Sequence, residues 1–293
     1  CTIQVTDGAG NASNLLAVSA FTVDTTAPTF TAERTGVNTI VVTFNESVSA
    51  SDTATAAWSL GSGFITSSVD QPSAATTLTI TTTGPSDTFS TPTVTYLAAS
   101  GSVLDLAGNE VVNLTTVTAA DKVVPTLPVV TIVSNNSDTA KAKVGDLVTL
   151  TINSSEPIAV PTVNLLGRVA AVTTINPSSY TASITTLAGD APEGAIALSV
   201  AFADTQANAG VSVTSTTNAS AVIFDKSAPT LAITAPAATA RVRGSATITF
   251  TDSEQTAPVC SINALATVAC VSGVTTLTDL TGFTGLADGA FTL

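Results

Sequence analysis

The chain of 293 residues contains no His and no Met, and its 21 Asp and Glu outnumber eight Lys and Arg, for a net charge of −13. Without His there is no Ser-His-Asp triad, no imidazole base and no His metal ligand, and so few cations cannot build the basic face that nucleic acid requires. Divalent cations suit such a surface better, the length suggests two or three domains, and the lack of Met is expected of a processed or excised piece.

In chain order, Cys1 comes first, and a lipid-bearing N-terminus or a small residue at a point of cleavage both fit it. Thr39–Phe44 (TIVVTF), Thr77–Ile80 (TLTI), Thr93–Tyr96 (TVTY), Leu147–Ile152 (LVTLTI) and Ala246–Phe250 (ATITF) are short and β-branched. Most alternate an apolar residue with Thr, which puts Val, Ile and Phe on one face, as in half-buried antiparallel strands. Turn-forming clusters separate them: Gly84–Asp87 (GPSD), Asn135–Asp138 (NNSD) and Gly189–Pro192 (GDAP). Many short strands and no helical period predict an all-β chain of sandwiches or barrels. No apolar run reaches the ~20 residues of a membrane helix. No leader pattern is visible either, so export would be directed by sequence outside these residues. Cys260 and Cys270 could close a local disulfide, in an oxidising compartment, or remain two buried thiols.

Internal repetition organises the chain. An Asp-to-Asn turn precedes an Asp followed by Pro three times: Asp7–Asn11 (DGAGN) before Val23–Pro28 (VDTTAP), Asp105–Asn109 (DLAGN) before Asp121–Pro125 (DKVVP), and Asp204–Asn208 (DTQAN) before Phe224–Pro229 (FDKSAP). Pro ends strand pairing and so suits a boundary. The three Pro lie roughly 100 residues apart, the size of one sandwich. Early in each unit a strand ends in a carboxylate: Thr43–Val48 (TFNESV), Ile152–Ile158 (INSSEPI) and Phe250–Glu254 (FTDSE).

These elements together resemble the tandem bacterial Ig-like repeats of giant surface adhesins and related cell-surface proteins. Such repeats carry a D-x-A-G-N turn, a V-D-x-x-A-P linker and an S-E-P-V after the second strand. The resemblance spans nearly the whole chain; the turn at Asp204 and the linker at Asp121 depart from the pattern. It implies tandem antiparallel Ig-like β-sandwiches arranged as an elongated rod, with domains at 27–124 and 125–228. Residues 1–26 would be the last strand or strands of one incomplete domain, and 229–293 the beginning of another. The two pieces together make about one domain. Two arrangements remain open: the piece belongs to one very long polypeptide, or neighbouring copies complete one another head to tail by strand exchange, as a filament, sheath or S-layer would.

In an Ig-like sandwich the chain entry, the loop after the second strand and the loop between the last two strands share a pole. Acidic groups should therefore meet at each junction: Asp24, Glu46, Asp105 and Asn109; Asp121, Glu156, Asp204 and Asn208; and Asp225 and Glu254, with Asp7 and Asn11 from an adjoining copy. All-oxygen sets of this kind suit Ca²⁺, which some repeats of the resembled family carry at junctions; the alternative is that each Asp-to-Asn stretch is only a turn. Trp58 is expected in a core rather than as a sugar platform. Six N-x-S/T sequons, at Asn11, Asn45, Asn113, Asn135, Asn153 and Asn218, would mark glycosylation only in an organism that performs it. Lys122 and Lys226 fall in linkers, and Lys141 and Lys143 in a polar stretch, which argues against a Lys–Asn crosslink. No nucleophile elbow or phosphate loop is present, so the expected role is non-enzymatic. The resemblance implies an extracellular, cell-surface spacer whose partners are neighbouring repeats or copies, end to end.

Overall fold

The structure, a computed structural model, describes residues 1–49, 54–70, 72, 74–237, 240–254, 257–262, 266–281 and 283. Among these the regular structure is β-strand with three single-turn 3-10 segments, and no helix is long and apolar enough to cross a membrane. The chain is thus all-β, as its alternation predicts, and divides into two units, Cys1–Asp225 and Lys226–Leu293.

The first unit opens with a hairpin of β1 (Thr2–Ile3) and β2 (Leu16–Ala17), and residues 1–26 are exposed throughout. Eight strands follow: β3 (Phe30–Gly36), β4 (Thr39–Val48), β5 (Trp58–Leu60), β6 (Ile65–Asp70), β7 (Ala75–Thr83), β8 (Thr93–Tyr96), β9 (Thr116–Thr118) and β10 (Ala120–Asp121). They form a sheet of order β10-β3-β4-β7-β6 and a second of order β5-β8-β9 that share one core. Alternation sets the faces: Ile40, Val42 and Phe44 of β4 and Leu78 and Ile80 of β7 point inward, while the intervening Thr face out. Trp58 is core, with its ring 5.4 Å from Phe30 and 5.3 Å from Tyr96. The Phe30 contact is edge-on, a geometry that adds about 0.5–1.5 kcal/mol beyond area burial. Among the described strands of these two sheets all pairings are antiparallel but one: β10 runs parallel to β3, with Asp121 opposite Arg34.

A second core begins after this strand. Its elements are β11 (Val129–Ser134), β12 (Lys141–Ala142), β13 (Leu147–Asn153), β14 (Thr162–Leu165), β15 (Arg168–Val169), β16 (Ala171–Asn176), β17 (Ser179–Thr185), β18 (Gly194–Ala195), β19 (Leu198–Ala201) and β20 (Ile223–Phe224). They form sheets of order β11-β13-β17-β16, β15-β14-β19 and β12-β20-β18 around Ile132, Val148, Leu150, Leu165, Val200 and Phe224. No Trp is available here. Tyr180 fills the space, and its buried hydroxyl donates to the Ile158 and Pro177 carbonyls at 2.6 and 3.0 Å.

In the second unit β21 (Leu231–Ala235) pairs with β22 (Thr249–Asp252), and β23 (Val259–Cys260) with β24 (Val268–Ala269). Cys260 and Cys270 form a disulfide beside the small core of Ile248, Ile262, Leu277 and Leu280. The strand expected over 246–250 starts late, at Thr249, and runs on to Asp252. Pro236 follows Ala235 and has no N–H, so the β21 ladder ends there. Thr247 bridges Thr276 instead, and the Ile248 amide donates to the Thr275 carbonyl. The last part of the expected segment 229–293 lies outside the described residues.

Trp58 is the only Trp, so its emission reports the first core alone. Ile40→Ala is expected to destabilise the Trp-detected denaturant transition by about 2–5 kcal/mol. Leu150→Ala, in the other core, should shift that transition much less while lowering the far-UV circular dichroism transition.

Candidate functional site

One loop geometry occurs three times. In Asp105–Asn109, Asp105 Oδ1 accepts the Ala107 and Asn109 backbone N–H at 2.8 Å each, and Asn109 Nδ2 donates to Oδ2 at 2.8 Å. In Asp204–Asn208, Asp204 Oδ1 accepts from Gln206 and Asn208, and Asn208 Nδ2 donates to Oδ2 at 2.7 Å. In Asp7–Asn11, Asp7 takes the same bonds from Ala9 and Asn11. The fourth residue of each loop needs positive φ: Gly10 and Gly108 supply it, and Ala207 adopts φ 67 in the loop that departs from the repeat pattern. The Asn amide then does a second job. Asn109 Nδ2 also donates to the Asp24 carbonyl at 3.2 Å, and Asn208 Nδ2 to the Asp121 carbonyl at 3.0 Å. A loop side chain thereby holds the entry linker of its own module.

The third participant is the Glu of the expected strand end: Glu46 lies within β4, which runs on to Val48, and Glu156 lies just beyond β13, which ends at Asn153. Two residues beyond Glu46, Val48 bridges Asp105; two beyond Glu156, Ile158 bridges Asp204. This lays each Glu beside the loop. Carboxylate oxygens of Asp24, Glu46 and Asp105 all lie within 4.8 Å of one another, and so do those of Asp121, Glu156 and Asp204. Of the third expected set, whose Asp7 and Asn11 would come from an adjoining copy, Asp7 and Asn11 sit in the exposed N-terminal hairpin, Asp225 is exposed after β20, and Glu254 is exposed after β22.

The two clusters differ in depth. In the first, Asp24 is exposed and Glu46 half-buried. Desolvation, with the charges of Asp24 and Asp105, pushes the Glu46 carboxyl above its ordinary value. Burial works against charged Asp105, but the Asn109 side chain and backbone N–H donors outweigh it and hold its carboxyl low. In the second cluster all three acids are buried, and Glu156 is only 1% exposed. Desolvation, with Asp121 and Asp204 adding repulsion, pushes Glu156 up to about 7. Desolvation also raises Asp121, against the Val123 amide that bonds its Oδ1 at 3.0 Å. Neither Glu156 oxygen has a hydrogen-bond partner, and Asp121 Oδ2 has none. The Thr88 hydroxyl opposes this by favouring the charged form of Glu156, yet the two do not reach hydrogen-bond geometry, and that hydroxyl is also unpartnered. Buried, partnerless acceptors are costly. Their converging oxygens, with no nitrogen or sulfur among them, make a set for a hard cation.

The repeat pattern points to the acids but not to what surrounds the second cluster. Arg34 and the Asp87–Ser90 loop belong to the first module; in the second, Arg168 pairs with Asp190 in the loop after β17 at 2.8 Å. A signal existed in β3, where Phe30, Ala32 and Arg34 occupy successive inward positions; an Arg on the apolar phase must find a buried acceptor.

No family model and no curated protein matches the chain. Among solved structures, the N-terminal part of the bacterial S-layer protein SbsC aligns with a TM-score of 0.28 and 15% identity over 69% of this chain. The chain spans only 45% of the length of that structure.

The raised Glu156 carboxyl has a sign that can be measured in metal-free protein. Its folded value of about 7 exceeds the ordinary 4.5, so the folded state holds the proton more tightly. The stability this confers is complete below pH 4.5 and is lost as pH rises through about 7. With EDTA present, the melting temperature should therefore fall across that window, and Glu156→Gln should flatten the fall. A wild-type melt that rises across the window would contradict the assignment.

Proposed function

We propose that this chain is a spacer segment of an extracellular bacterial surface protein, built of tandem Ig-like sandwiches set end to end as a rod and stiffened by Ca²⁺ at their junctions. The observation that carries this reading is the Asp121–Glu156–Asp204 cluster. It lies where the first core gives way to the second, and it combines the linker, the second strand and the last loop of one module. Its buried Glu156 has two unsatisfied oxygens. A spacer needs no reaction centre. It needs each module fixed in angle to the next, and a cation held jointly by linker, strand and loop does that. Asp121, Glu156 and Asp204 would hold the ion, and Asn208 keeps the linker carbonyl of Asp121 in place. The chemistry a bound Ca²⁺ supplies is neutralisation of mutually repelling carboxylates, with six to eight oxygens in its shell. The Cys260–Cys270 disulfide supports an oxidising, extracellular location.

Calorimetric melting in EDTA and in excess CaCl₂ tests the reading. A site filled at about 100 times its Kd adds about 2.7 kcal/mol, so the transition should move up, and Glu156→Gln should remove most of the gain. An unchanged melt would overturn the cation reading.

Head-to-tail assembly of copies is a second reading, supported by one feature: Val5, Leu16, Phe21 and Val23 of the N-terminal segment are apolar and at least 67% exposed. Light scattering after gel filtration should then show concentration-dependent oligomers that disappear when residues 1–22 are deleted. Monomers at every concentration would dismiss it.

A further inference from the structure

Arg34 is the largest charged group in the first core and is 0% exposed. Its guanidinium makes three of its four hydrogen bonds to one short loop. Nη1 donates to Asp87 Oδ1 at 3.2 Å and to the Ser90 carbonyl at 2.8 Å, and Nη2 donates to the Val37 carbonyl at 3.0 Å and to the Asp87 carbonyl. Phe64 covers its other side, with the ring centroid 4.9 Å from Cζ. Asp87 then folds the loop around itself, accepting the Phe89 and Ser90 amides and the Ser90 hydroxyl. The residue left in the middle is Thr88, whose unpartnered buried hydroxyl faces Glu156 of the next module. The main chain of Arg34 serves the same place from the other side. Its carbonyl accepts the Lys122 amide at 2.9 Å, and the parallel pairing sets Asp121 opposite it.

We infer that Arg34 is the positioning residue of the second junction: it locks the Asp87–Ser90 loop as the first module's half of the Asp121–Glu156–Asp204 cation site, so that cation capture clamps the first module onto the second. This rests on the cation reading above and adds to it the partner surface on the preceding module. Charge alone makes the opposite forecast. A guanidinium near three carboxylates repels a divalent ion, so removing it should tighten binding. Positioning requires that removal weaken binding, because the loop and its hydroxyl drift from the site.

Calorimetric titration of CaCl₂ into the full chain separates the two, in a Glu46→Gln background where the heat reports the second junction. Arg34→Met and Arg34→Lys are both expected to weaken binding by about 10-fold or more, the usual effect of losing a group that orients ligands; Lys keeps the charge but cannot reach four acceptors. Equal or tighter binding by folded Arg34→Met overturns the inference and leaves the cation site standing. No binding heat in the Glu46→Gln parent overturns the cation site itself. Should Trp58 emission show that the Arg34 variants are unfolded, Thr88→Val decides: severalfold weaker binding supports the clamp, and unchanged binding overturns it.

Discussion

Three carboxylates buried within reach of one another repel, and the seam between the two cores is organised around that repulsion. Two of the three have part of their charge met by the fold. Asp204 receives backbone amides and the Asn208 side chain, and Asp121 receives the Val123 amide. Glu156 receives nothing in hydrogen-bond geometry. Burying an acid this way is unfavourable unless it is protonated or neutralised from outside. A protein selected for stability alone would put Leu or Gln there. A proton neutralises it below about pH 7, and the proposed divalent cation would do so above that.

The loop geometry clarifies which part of each junction is scaffold. Asp7–Asn11 makes the full set of internal bonds in an exposed hairpin, with no Glu laid beside it. The Asp-to-Asn stretch is therefore a turn in its own right, as the Asx chemistry of its ends predicts. What converts the turn into a site is the addition of two elements from far along the chain: the linker carbonyl taken by the Asn amide, and the Glu delivered by the strand two residues before it bridges the loop Asp. Because the Asp oxygens are already engaged, that residue is oriented before any cation arrives. Such preorganisation lowers the ordering that binding must impose.

Period-2 alternation made the β-strands legible, since Ile40, Val42 and Phe44 can share a buried face only if the chain is extended. Repetition made the acids legible, because Glu46 and Glu156 recur at matching places in two units. Neither signal reaches Arg34, Asp87 or Thr88. They come from the preceding module and meet Glu156 only through tertiary packing. Ala207 shows the reverse case. Its sequence departs from the Gly of the other loops, yet the network around Asp204 holds a non-Gly residue at positive φ, a local strain of order 1 kcal/mol that the surrounding bonds offset. The delayed start of β22 escaped sequence reading for a similar reason: Thr247 and Ile248 have the right composition for a strand but the wrong partner, because Pro236 closes the ladder they would have joined.

The parallel pairing of β10 with β3 gives the seam its mechanical character. Ala120 and Asp121 close the first module's sheet, and the next few residues enter the second module, so one stretch of backbone is both the last strand of one fold and a ligand-bearing edge of the next. Bending there would break the ladder between Asp121 and Arg34 before it moved the second core. The hinge that remains is rotation about that strand, and opposing it requires a contact off its axis. The Asp87–Ser90 loop is such a contact, reaching Glu156 on the far side of the cluster. Its Thr88 hydroxyl favours the charged form of Glu156, so strand and loop meet the second module at two separated points, and under the proposed cation reading both would hold it.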